Sequence, residues 1–126
     1  MPSLNLIGGW LGRLAGVISG AVIGLFFHRE DWMGGYASYR RRLTRLGHIS
    51  FFGLGFLNLL FAATARDLAL AGNALWVASW GLLLGAVTMP VCCFLAAWRK
   101  PWRRLFPLPV LSVTTGIVSI LIGGLR

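Results

Sequence analysis

The chain has 126 residues, of which 57% are hydrophobic and only 12% charged, with a mean hydropathy of +0.76. Soluble domains carry about 25% charged residues, and a single domain this short cannot bury so much apolar surface in water, so lipid must cover part of it. The net charge of +9, with Glu30, Asp31 and Asp67 as the only acids, would suggest nucleic acid in a soluble protein. Here the cations lie in short stretches between apolar runs, which points to topology and anionic headgroups and away from a nucleic-acid partner.

A membrane-spanning helix needs about 20 mostly apolar residues. The first such run covers 4–27. It opens without the basic n-region of a secretory signal, so no cleaved leader is expected. Within it Gly8, Gly12, Gly16, Gly20 and Gly24 stand four apart, near one face of a helix. Such a face admits another helix at close range, within the chain or on another subunit. Arg13 interrupts the run and no acid lies in any run to pair with it. Snorkelling to headgroups or a partner subunit is expected there, rather than transport.

Residues 28–45 form the first connection. Its "DWMGG" should stop the first helix at the glycine pair. From Tyr36 onward nothing breaks a helix, so the second should begin below the membrane and rise into a span at 46–65. Arg40, Arg41, Arg42 and Arg45 precede that span and are expected at lipid headgroups. His28 ends the first run and His48 opens the second. Set face to face, they would be candidate axial ligands for haem b. Tyr39-Arg40, Leu43-Thr44 and His48 stand in the order of a helix entry in the cytochrome b anchor subunits of succinate dehydrogenase. This short likeness implies a haem-binding membrane anchor. It departs from that pattern in an early histidine, in the missing arginine after it, and in the lack of a second histidine in a later helix.

A short connection at 66–73 leads to a third span at 74–97, in which Pro90 should kink the helix. Cys92 and Cys93 are adjacent and read as small apolar fillers, giving no disulfide framework or metal motif. The connection 99–104, "RKPWRR", adds Arg99, Lys100, Arg103 and Arg104 as headgroup contacts. A fourth span covers 105–125, with Pro107 and Pro109 at its start, where proline is tolerated. Asn58, Asn73, Ser79, Thr88, Ser112, Thr114, Thr115 and Ser119 can hydrogen-bond between helices or to their own backbone.

The fold class expected is an all-α integral membrane protein, one domain over 1–126. Four transmembrane helices should form an up-down bundle. The first and third connections hold nine of the twelve cations, which puts them in the cytoplasm and both termini outside, most simply in a bacterial inner membrane. Six tryptophans fall near the span ends as two interfacial belts.

No nucleophile–base pair, catalytic residue or metal-ligand cluster is evident, so no enzymatic activity is expected. The length suits a small multidrug exporter or a fluoride channel. The exporters need an acid inside the first helix, and the channels an asparagine-centred glycine–serine motif; neither is present. Two functions remain. One is an accessory or structural subunit without a cofactor, packed through its glycine face onto other transmembrane subunits of a larger complex, such as a respiratory or photosynthetic electron-transfer assembly. The alternative is a small electron-transfer or anchor protein with haem b between His28 and His48.

Overall fold

The computed structural model describes residues 2–126 and is all-helical, with no strand among them. Helix α1 spans Pro2–Phe26, α2 Tyr39–Thr64, α3 Gly72–Trp98 and α4 Pro107–Gly124. A short 3-10 turn, Trp32–Gly34, lies between α1 and α2, and a second, Lys100–Leu105, precedes α4. All four helices are long and apolar enough to cross a membrane, α4 together with its 3-10 turn.

Local chemistry sets the boundaries. The connection after α1 turns through Gly34 (φ 85°) and Gly35 (φ 102°), conformations that a Cβ would strain. Met33 beside them adopts a left-handed φ of 56°. The turn delays α2 to Tyr39, three residues later than the unbroken sequence suggests. Ser38 then caps it, its Oγ accepting the Arg41 N–H at 3.2 Å, which satisfies one of the free donors of the first turn. Helix α2 therefore starts seven residues before its apolar run. Helix α3 continues through Pro90, which is itself buried.

Helix α3 lies at the centre. Of its most apolar stretch 39% is buried, against 28% for α2 and 11% for α1 and α4. Helix α1 packs mainly on α2, α2 on α3, and α4 on α3 and the turn preceding it. The four helices thus follow one another in an open row, α1 reaching past α2 to touch α3 as well, with α1 and α4 at its ends. A compact core of Phe61, Ala65, Leu70, Ala78 and Leu82 joins α2, α3 and the loop between them, with Val113 and Ile120 of α4 packed on it. The outward side of α1 is exposed and apolar at Leu4, Ile7, Leu11, Leu14, Ile18, Val22 and Leu25, as a lipid-facing stripe would be.

Candidate functional site

Three clusters of side chains, the first a small-residue seam and the other two polar, hold the helices together, and the sequence-derived candidates distribute among them. The seam runs along α1. A Cβ on Gly9 would stand 2.8 Å from the Gly55 carbonyl, and one on Gly12 would stand 3.3 Å from the Phe51 carbonyl, so α2 passes nearly backbone to backbone. Gly16 faces the Phe52 ring, Gly20 faces the His48 ring, and Gly8 faces Leu83 of α3. Gly24 meets nothing within 4 Å. The glycine face is therefore occupied by the chain's own α2 and α3 over Gly8 to Gly20. A docking partner on that face, as the sequence suggested, has no room. Helix α2 contributes Gly55 from its side, a glycine that no four-residue repeat marks in the sequence.

His48 belongs to this seam. Its Nδ1 lies 3.0 Å from Ser19 Oγ, and Ser19 gives its proton to the Gly16 carbonyl at 3.0 Å. The ring also meets Phe52 edge-on at 5.4 Å. His28 lies exposed in the turn beyond α1, eight positions past the Gly20 that His48 touches.

The second cluster is buried between α1, α2 and α3, towards the end of the molecule away from the arginine run. Asn5 Nδ2 donates to Asn58 Oδ1 at 2.7 Å and to the Ser79 carbonyl at 3.1 Å. Asn58 Nδ2 donates to the Leu54 and Leu82 carbonyls at 2.9 and 3.1 Å. The Ser79 hydroxyl donates to Asn5 Oδ1. All three side chains are fully buried, and every amide donor has an acceptor, as burial demands. Ser112 adds a bond from α4 to the Gly81 carbonyl of α3 at 2.8 Å. Thr88 and Thr115 bond only their own helices, to the Leu84 and Leu111 carbonyls.

The third cluster is the arginine run. Arg41 is 2% exposed, which corrects its expected place at the headgroups. Its Nη1 and Nη2 donate to the Arg29 and Phe27 carbonyls at 3.1 and 2.8 Å, just past the end of α1. Phe27, Trp32 and Tyr36 surround the guanidinium, with ring centroids 5.1, 5.5 and 5.3 Å away. Neighbouring Arg40 reaches the other way, its Nε donating to the Ala97 carbonyl at the end of α3 at 3.0 Å. Helix C-termini present free carbonyls and partial negative charge, so the two arginines tie the ends of α1 and α3 to the start of α2. Arg45 sits over Tyr36 at 4.1 Å and bonds its carbonyl at 3.3 Å. Arg42, Arg99, Lys100, Arg103 and Arg104 remain exposed.

No protein-family model, curated protein or solved structure matches the chain. Its chemistry must be read from its own atoms. Among the described residues no group of three or more His, Cys, Asp or Glu could hold a metal ion. A recess of about 520 Å³ is lined by Pro2, Ser3, Leu6, Leu59, Ala62, Ala63 and Arg66. Its one hydroxyl, that of Ser3, has no base among these neighbours. The residues that sequence reasoning missed are Asn5, Gly55, Gly81 and Gly116. Gly81 and Gly85 carry the four-residue spacing that marked α1. Asn5 carried no signal beyond its polarity.

Proposed function

We propose that this chain is a non-catalytic accessory or structural subunit of a larger complex in a bacterial inner membrane, with both termini on the outer side. One observation carries the reading: the buried side chains of Asn5, Asn58, Ser79 and Arg41 join separate stretches of this chain to one another. Asn5, Asn58 and Ser79 bond only each other and helix carbonyls. Arg41 engages carbonyls and rings of its own chain. An active site instead leaves convergent polar groups facing a cavity.

The glycine face is taken, so a partner would meet the outer faces of α1 and α2 or of α4. The positive-inside bias supports the orientation, since nine cations fall in the two connections placed in the cytoplasm. An electron-transfer complex of the respiratory or photosynthetic kind is one parent that suits such a subunit. The haem alternative draws no support from the placement of His28 and His48.

Affinity purification of the tagged chain after mild detergent extraction tests the proposal. A stoichiometric membrane partner is expected. A lone monodisperse chain, recovered after extraction that leaves other native complexes whole, would sink it.

A further inference from the structure

Arg13 is the one charge inside α1, and it stands near the middle of that helix. It stands 11 residues from Pro2 and 13 from Phe26 in a helix of 25, about 17 Å and 20 Å from the two ends. A second measure agrees. Its backbone N lies 3.5 Å from a Cβ built on Gly55, and Gly55 is at the centre of the apolar run 46–64 of α2. A side chain of a few bonds does not cover that distance to headgroup level, so snorkelling fails on length.

Among the described residues nothing neutralises this charge. Arg13 Nε is buried without a hydrogen-bond partner. The rings of Trp10 and Phe56 stand beside the guanidinium, at 6.0 and 5.7 Å. Glu30, Asp31 and Asp67 all lie outside the helices. A second copy of the chain therefore brings no side-chain carboxylate to that depth.

The surface around Arg13 suits a helix. Trp10 and Phe56 are both more than half exposed. One turn along α2 from Phe56 is Gly53, where an added Cβ would meet open space. The fold of this chain does not require glycine there, and a small residue on an outer face lets a backbone approach closely.

We propose that the Trp10–Arg13–Gly53–Phe56 surface docks a transmembrane helix of another protein, one that carries an aspartate or glutamate near mid-membrane and pairs it with Arg13. The proposal rests on the accessory-subunit reading and names the chemistry of its partner. An unpaired cation in hydrocarbon is costly. A carboxylate is the group that returns both the charge balance and the missing hydrogen bonds.

The test uses the full chain in phosphatidylcholine vesicles and two synthetic polyleucine helices of about 20 residues. One carries a central glutamate and the other a central glutamine, each with a dansyl group to accept energy from the protein's tryptophans. Above the titration of the peptide carboxyl, the glutamate helix should associate about tenfold more tightly than the glutamine helix. Arg13→Gln should remove the preference and Arg13→Lys should keep it, with both variants retaining wild-type helicity. Equal binding of the two peptides to wild type overturns the proposal, as does a preference that survives in Arg13→Gln. Loss of the preference in vesicles rich in phosphatidylglycerol assigns Arg13 to a lipid phosphate and overturns it too. A null result beside a stoichiometric native partner overturns this site alone and leaves the accessory role standing.

Discussion

Arg41 and Asn58 show how single polar residues act in an apolar chain. Asn58 makes three bonds with helices α1, α2 and α3, yet each is modest in a membrane, because the separated helices also find partners. A double-mutant cycle on Asn5→Ala and Asn58→Ala should give a coupling of about 0.6–1.7 kcal/mol. Thermal unfolding of the four proteins in one detergent measures it, and a coupling of zero would show the pair to be independent. Arg41 is a stronger case because its partners are charge-assisted. Arg41→Ala should cost about 2–4 kcal/mol, through two lost bonds to carbonyls and an emptied aromatic box. Arg41→Lys should recover only part of this, since an ammonium has no planar fork to reach both the Phe27 and Arg29 carbonyls. His48→Ala removes one bond to Ser19 and a ring contact with Phe52. It should lower stability slightly, and the purified wild type should show no Soret band to lose. A Soret band abolished by both His28→Ala and His48→Ala would replace this account with the haem alternative.

At the scale of helices, close approach at glycine decides which faces meet. The glycines of α1 differ in what opposes them, which makes a graded prediction. Gly9→Ala puts a methyl 2.8 Å from a backbone carbonyl of α2, and backbone cannot turn aside. It should cost about 1–3 kcal/mol as overpacking. Gly24→Ala meets open space and should be neutral or stabilising by about 0.5–1 kcal/mol from helix propensity. Chemical or thermal unfolding in detergent checks the order, and equal effects would mean that the α1–α2 seam is looser than drawn. Helix α4 meets the rest of the molecule mainly along α3. Gly81 and Gly116 approach so closely that a Cβ on Gly81 would lie 3.0 Å from the Gly116 Cα. Gly81→Leu should therefore free α4 from α3 while α1, α2 and α3 stay joined through Asn5, Asn58 and Ser79. Faster exchange or cleavage confined to α4 would report it.

For the whole molecule the open row and the charge asymmetry matter most. Single-cysteine labelling tests the orientation at Ser3, Ala37 and Arg126, all exposed, with Cys92 and Cys93 replaced. Ala37 suits this better than its neighbour Ser38, whose hydroxyl caps α2. Ser3→Cys and Arg126→Cys should react with an impermeant reagent from outside, and Ala37→Cys only after the membrane is opened. Labelling of Ala37→Cys in intact cells would reverse the topology. The row itself leaves large apolar faces on α1 and α4, which lipid or a partner must cover.

Four helices of spanning length were legible in the sequence because an unbroken apolar run has few other folds open to it in lipid. So were the break at Gly34 and Gly35 and the small face of α1, since both follow from spacing and the absence of a Cβ. What lies against that face was not legible. Periodicity states which residues share a side of a helix, and only packing states which helix comes to it; here α2 came, with Gly55 opposite Gly9 and Gly12. The arginine run divides in the same way. Its charge was enough to mark an anchor at one end of the molecule. Its partition was tertiary: Arg40 reaches α3, Arg41 reaches the end of α1, and Arg42 stays exposed, because free carbonyls stand on either side of α2's first turn only after the helices have packed. Arg13 combines both levels. Sequence alone placed a charge among apolar residues, and the fold set its depth, its two rings and its lack of a counter-charge.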